Sequence, residues 1–311
     1  MWYKSKKKVW SQTCAQVKSV EESISIEKLC KVFGKSRQAY YDAINRKNRC
    51  GVDKEIIRHH VIERRHIQPK EGARKLYHNL KPVLQSEGIK IGRDKFIKTL
   101  RELDLLVKRR KRGKRTTNSN HPFYKYPNLI KELVVDRSEM VWVCDITYLH
   151  FKNSFVYLSL ITDLYSHKIV GFHLHDTLKT IGPQKALEKA LKKRCYPERE
   201  LIHHSDKGIQ YCSYTYTNLL KSNGIKVSMA EAGNPYENAV AERVNGILKD
   251  EYNLDSIVCN TFEELNNVID NSIWIYNNLR SHASCDYLTP DEAHRRTGEL
   301  KKRWSKKTEK V

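Results

Sequence analysis

HHSDKGIQY, residues 203–211, follows the apolar pair Leu201 and Ile202, so Asp206 falls where a short buried strand ends. GNPYENAVAERVNGILKDEY, residues 233–252, reads as a helix. Asn234 is its expected cap, Pro235 its first helical residue, and Glu237 completes a capping box. Glu242 then lies about two turns in. Thirty-five residues separate Asp206 from Glu242.

Upstream, VWVCDITYLHF (141–151) alternates as a strand, with Val141, Val143 and Asp145 toward one face. A carboxylate inside an apolar run must be neutralised or bind something. A divalent cation is the natural partner: hard oxygen ligands suit Mg²⁺ or Mn²⁺, and two ions held by three acids would serve a phosphoryl transfer. Taken singly, each acid reads first as a surface or capping residue, since charged residues are mostly exposed. The three together, each in its expected context, point to one site.

The acids and their neighbours carry a resemblance. WVCDITYL, HHSDKGIQY, GNPYENAVAERVNGILKDE and WIYNNLRSH resemble, in that order, the insertion sequence 3 family of transposases, whose core is retroviral-integrase-like. The resemblance implies that Asp145, Asp206 and Glu242 form the Asp-Asp-35-Glu triad that is both catalytic and metal-holding, with two Mg²⁺ or Mn²⁺ ions. It implies DNA as substrate, with the terminal inverted repeats of an element and a target joined through a freed 3′-hydroxyl, and the element's own ends circularised first. Lys249 shares a helical face with Asn238, Glu242 and Asn245 and by the resemblance contacts the transposon end. Arg280 and His282 are expected near DNA. His204 reads as a hydrogen-bonding support for a metal-holding carboxylate or as a satisfied core histidine. Asn238 reads as shaping the approach to the acids or as a cap.

Charge divides the chain. The 311 residues carry a net charge of +22, and residues 1–120 hold 32 Lys and Arg against 12 Asp and Glu, whereas the remainder holds 26 against 24. Salt-sensitive affinity for DNA is therefore expected in the first part. No run of eighteen apolar residues occurs, and MWYKSKKKVW lacks a signal peptide's apolar centre, so the expected location is cytoplasmic, on the nucleoid. The eight cysteines form no Cys-x-x-Cys pair and read as reduced thiols. His59, His60, His66 and His78 precede no cysteine pair at ligand spacing, so a structural zinc is not expected.

In SISIEKLCKVFGKSRQAYYDAINRKN (23–48) a helix, Gly34 and a second helix from near Ser36 suggest a helix-turn-helix over residues 1–50, with Arg37 and Gln38 toward DNA, or an ordinary helical hairpin. A second unit over 51–107 has a helix at 54–68, another in GARKLYHNLKPVL (72–84), and a third from near Arg93. By the resemblance Arg93, Lys95 and Lys98 line its DNA side. Residues 108–135 form a linker whose Arg109, Arg110, Lys111 and Arg112 are read as phosphate contacts. Residues 136–297 are expected to form the catalytic core, and 298–311 a basic tail.

Three antiparallel strands (140–149, 155–163, 168–175), a helix from Ile181 to Arg194, a strand ending at Asp206, a helix over 214–222 and a fifth strand in IKVSM (225–229) give an α/β core. This is a ribonuclease H-like mixed five-stranded sheet with flanking helices, preceded by an all-α helix-turn-helix region. Glu251 and Asp250 are expected in solvent. The resulting function is a DNA-joining transposase, a polynucleotidyl transferase; the alternatives are a catalytically inert repressor or architectural protein, and a plain nuclease of the same fold. A homo-oligomer is expected for synapsis, and an upstream frame product is a possible fusion or partner.

Overall fold

The structure, a computed structural model, describes residues 6–107, 122–231 and 238–303. The linker arginines and lysine, Arg109, Arg110, Lys111 and Arg112, lie outside the described residues. The chain divides into two units: Met1–Glu63 with Pro82–Asp104, and Arg64–Lys81 with Leu105–Val311. Among the described residues no helix is long and apolar enough to cross a membrane.

The first unit is built on α1 (Lys6–Val20), α2 (Ile26–Val32), most of α3 (Arg37–Ile67), the end of α4 (Ala73–Ser86) and α5 (Arg93–Glu102). Ser25 caps α2 by accepting from the Lys28 amide. Gly34, at φ 62, turns the chain, and Ser36 then accepts from the Ala39 amide at 3.1 Å to start α3. Cys14, Cys30 and Tyr40 are the small core these helices share, with Trp10, Leu29 and Ile44 against it. The helices expected from Ser36 and over 54–68 are one continuous helix. Gly51 is the only breaker between them, and a lone glycine costs about 1 kcal/mol, which flanking helix formers on both sides outweigh.

The second unit is organised on β1 (Val141–Phe151), β2 (Ser154–Asp163), β3 (Ile169–His175), β4 (Ile202–Ser205) and β5 (Lys226–Met229), in the order β3-β2-β1-β4-β5. β1, β2 and β3 are antiparallel neighbours, whereas β1–β4 and β4–β5 are parallel. The parallel pairs need crossovers, which α6 (Ile181–Lys192) and α8 (Tyr214–Ser222) supply. α7 (Ile209–Cys212) is one short turn between them in sequence. Trp142, Cys144, Ile161, Ala186, Leu187, Tyr216 and Leu220 form one core layer. On the opposite face α9 (Ala239–Glu251) and α10 (Phe262–Asn278) cover Leu149, Leu158, Leu160 and Leu174. This is the ribonuclease H-like arrangement. Gly171 on β3 permits it locally: a Cβ there would run into Ala186 O and Ala190 Cβ of α6.

α11 (Pro290–His294) is capped by Thr289 in a full capping box with Glu292, and a buried charge network docks it. Asp163 accepts from the Glu139 amide at 2.7 Å and from the Ser166 hydroxyl at 2.7 Å. Having given its proton to Asp163, Ser166 Oγ accepts from His294 Nδ1 at 2.9 Å. His294 Nε2 is 3.7 Å from Glu139 Oε1. Burial alone would depress the imidazole's pKa, but Asp163 and Glu139 outweigh it and raise it. Glu139, Cys195 and His294 bring three ligand atoms within 4.8 Å of one another. Arg194 Nε and the Cys195 and Tyr196 amides already bond the Glu139 carboxylate, so the local cations are the guanidinium and the imidazolium.

A pH dependence follows. A histidine whose folded pKa is raised contributes stability that is complete below its unfolded value, about 6.5, and lost as pH rises through the folded value. The denaturation midpoint should fall as pH is raised above the ordinary histidine range, and this component should vanish in His294→Gln. Equal pH profiles for the two proteins would refute it.

Candidate active site

Asp145 sits in β1 opposite Leu160 of β2, half-buried. Its Oδ1 accepts from the Ile146 amide at 2.9 Å and its Oδ2 from Asn245 Nδ2 at 2.8 Å. Asp206 follows the last residue of β4, and its Oδ1 accepts from the Gly208 amide at 3.0 Å. The turn is tight, since a Cβ on Gly208 would lie 2.9 Å from that same oxygen. Glu242 is exposed in the first turn of α9, where the positive end of the helix favours a carboxylate.

Two side-chain amides tie α9 to β1. Asn238 Nδ2 donates to the Cys144 carbonyl at 3.0 Å, next to Asp145, and Asn245 holds Asp145 itself. Asn238 thus occupies the N-cap position without capping, because its amide is engaged with the sheet. Its backbone, at φ −112 and ψ 20, is not helical, so the helix begins at Ala239. The expected start at Pro235 is corrected accordingly, and Glu242 lies in the first turn instead of the second. Asn234, Pro235 and Glu237 lie outside the described residues.

The acids interact. Burial raises the Asp145 carboxyl to about 7, and the negative charge of Asp206 and then of Glu242 pushes the same way, against the Asn245 and Ile146 hydrogen bonds. Burial first, and then the charges of Asp206 and Glu242, disfavour the ionised form of Asp145, so the site favours a cation. Asn245 was legible only as a member of the Glu242 face, three residues on; its bond to Asp145 is the contact that spacing leaves unassigned.

The integrase core domain family matches residues 136–235, and a second integrase core family matches 223–290. A protein of insertion element IS600 from Shigella sonnei is 34% identical over 266 residues, covering 84% of this chain and 96% of its own. The chain belongs to the integrase-core transposases of bacterial insertion sequences. A transposase of IS986/IS6110 from Mycobacterium tuberculosis is 29% identical to the transposase described here over 264 residues, covering 81% of it and 92% of its own length. The catalytic core domain of HTLV-2 integrase in complex with magnesium has a TM-score of 0.41 and 21% identity, over 51% of the transposase and 97% of that core.

The remaining expected residues fall in different places. Lys249 is half-buried in the last turn of α9. In the first unit of the transposase Arg37 and Gln38 are exposed at the start of α3, Gln38 bonding Asp42 at 3.2 Å. Arg93, Lys95 and Lys98 are exposed on α5, opposite its buried Phe96 and Leu100. His204 is fully buried, and the hydrogen bond at its Nδ1 is with Ser228 Oγ of β5 at 2.9 Å, not with a carboxylate.

Arg280 is a correction. Only 3% exposed, it bonds Glu251 through Nε at 2.8 Å and Nη2 at 2.7 Å, and its Nη1 lies 2.6 Å from His282 Nε2. Arg280 and His282, expected near DNA, are instead buried against one another, and Glu251, expected in solvent, is half-buried against Arg280. Lys75 of α4 approaches Glu251 at 3.2 Å as a second cation. The same segment of α3 and α4 satisfies the end of α10, where Arg64 and Gln68 both donate to the Leu279 carbonyl, at 3.0 and 2.9 Å. Glu71, fully buried, receives Arg64 and Asn79, and Asn79 accepts from Ser281.

Proposed function

We propose that the transposase cuts and joins DNA strands by divalent-metal-dependent phosphoryl transfer at Asp145, Asp206 and Glu242. The observation that carries this is the convergence of three carboxylates from β1, the end of β4 and the start of α9, with Asp145 driven to about 7 by burial and by the other two. An all-oxygen donor set of net negative charge fits Mg²⁺ or Mn²⁺, two per site, held by these three residues. Bound there, such ions supply Lewis-acid stabilisation of the attacking and leaving oxygens.

The chain's own residues then have distinct tasks. Asn245 and the Ile146 amide fix both oxygens of Asp145, the Gly208 amide orients Asp206, and Asn238 sets where α9 begins and hence where Glu242 stands. Hydrolysis at the element's end frees a 3′-hydroxyl. That hydroxyl attacks a second phosphodiester, so one P–O bond forms as another breaks, with neither a nucleoside triphosphate nor a covalent enzyme intermediate. Arg37, Gln38, Arg93, Lys95 and Lys98 read the terminal repeats, while Lys249 and the basic linker, Arg109, Arg110, Lys111 and Arg112, grip phosphates. Synapsis of two ends calls for a homo-oligomer, acting on the nucleoid in the cytoplasm.

Terminal-repeat duplex incubated with the transposase and Mg²⁺ or Mn²⁺ tests the reading: nicked and strand-joined products are expected. Nicking without joining would make it a nuclease, and binding without either product an inert DNA-binding protein.

A further inference from the structure

Of the three acids, Asp206 stands on the least self-supporting element. Asp145 is inside an eleven-residue strand and Glu242 in a thirteen-residue helix. Asp206 lies instead between the four-residue β4 and the four-residue α7, and its Oδ1 is oriented by the amide of Gly208, the N-cap of α7. The Tyr211 and Cys212 amides both bond the Gly208 carbonyl, at 3.0 and 3.1 Å. A single turn closed in this way has little stability of its own, because nucleation fixes several residues for one or two hydrogen bonds. The Asp206 turn must therefore be held largely from outside.

Gln210 supplies such a contact. Its side chain is buried, at 8% exposure, and Nε2 donates to the Leu178 carbonyl at 3.0 Å. Leu178 is 32 residues away, in the connection from β3 to α6. A carbonyl only accepts, so the amide nitrogen faces Leu178 and Oε1 turns back toward the Asp206 turn. A Cβ on Gly208 would meet Gln210 Oε1 at 3.3 Å and Asp206 Oδ1 at 2.9 Å, so carboxamide and carboxylate pack against the same side of Gly208. Both ends of the contact are themselves fixed. The Thr177 amide donates to His175 Nδ1 at 3.0 Å beside the Leu178 anchor, and Ser213, which caps α8, donates its hydroxyl to the Gln210 carbonyl at 2.9 Å. An enclosed space of this kind suits an aliphatic side chain better than a carboxamide unless the amide is bonded, so the polar group at 210 is explained by the bond to Leu178 and not by filling space.

We infer that Gln210 is a positioning residue for Asp206: it pins α7 to the β3–α6 connection and, through Gly208, sets the direction of the Asp206 carboxylate. The inference rests on Asp206 being a metal-holding acid, and groups that orient a metal ligand are worth roughly 10–100-fold in metal affinity.

The test titrates Mn²⁺ into the full chain, follows free Mn²⁺ by its electron paramagnetic resonance signal, and records the melt without metal. Gln210→Met keeps the length of the side chain and loses the donor. It should weaken Mn²⁺ binding about tenfold and raise the Mg²⁺ concentration for half-maximal strand joining by a similar factor, while the metal-free melt and the affinity for terminal-repeat duplex stay at parental values. Gln210→Asn, smaller and one methylene short of Leu178, should behave alike and carries the test where Gln210→Met does not fold. Parental Mn²⁺ affinity in a folded variant overturns the inference, as does a lower metal-free melt with Mn²⁺ binding unchanged, which makes Gln210 a packing residue. If Asp206→Asn binds Mn²⁺ as the parent does, the acid site itself is overturned, and the role of Gln210 with it.

Discussion

Asp145→Asn should reduce strand joining on terminal-repeat DNA roughly ten-thousandfold, the scale of loss when one member of a concerted catalytic group is removed. The substitution keeps the volume and leaves an oxygen that can accept from either the Ile146 amide or Asn245, so the repair to local bonding is partial and small, about 1 kcal/mol. What it removes is one negative charge from the cluster. The Asp145 carboxyl titrates at about 7 instead of 3.8 in the metal-free protein, so ionising it opposes folding, and stability falls as pH rises between those values. The asparagine variant should therefore melt no lower than the parent at pH 8 without metal, and should still bind the repeat. Joined products at near-parental rates, with the melt unchanged, would remove Asp145 from the mechanism.

Arg280→Ala should destabilise the second unit by about 3–5 kcal/mol, the cost of leaving one member of a buried ion pair alone. Glu251 would keep only Lys75, and the Arg280 contact beside His282 would be empty. Burial would raise the Glu251 carboxyl, but Arg280 and Lys75 outweigh that and hold it at about 2, against an ordinary 4.5. Its depressed pKa means stability that is present above pH 4.5 and lost as pH falls toward 2. Urea denaturation at pH 7 and pH 3 checks both: the variant should lose most at pH 7, and its acid sensitivity should shrink. A variant with the parent's midpoint but weaker, less salt-dependent DNA binding would instead restore Arg280 to the DNA surface.

The three acids proposed as catalytic stood out in the sequence because a carboxylate inside VWVCDITYLHF, or at the end of an apolar run, must be neutralised or bind something, and the three occur together in their expected contexts. The strands of the second unit were legible from alternation, and their observed bounds differ from expectation by a residue or two. Two things were not legible. The start of α9 was read from a local capping pattern, whereas it is set by a bond from Asn238 to Cys144, 94 residues away. Charge is written in the sequence but burial is not, and Arg280 beside His282 has the composition of a phosphate contact until its partners, Glu251 and through it Lys75, are seen in space.

The contacts of Arg64 and Gln68 with Leu279 span 215 and 211 residues. At about 5–20 residues per second of synthesis, a donor emerges roughly 10–40 s before its acceptor exists. During that interval all three acids are made, while Glu71, Leu76 and Leu80, each buried in the finished fold, await their neighbours. The nascent chain therefore holds all three acids on an unfinished scaffold, and the Arg64–Lys81 segment is without its α10 contact until Leu279 is made. A newly made transposase ties this segment to the end of α10 only after the last of the three acids proposed for its site has been made.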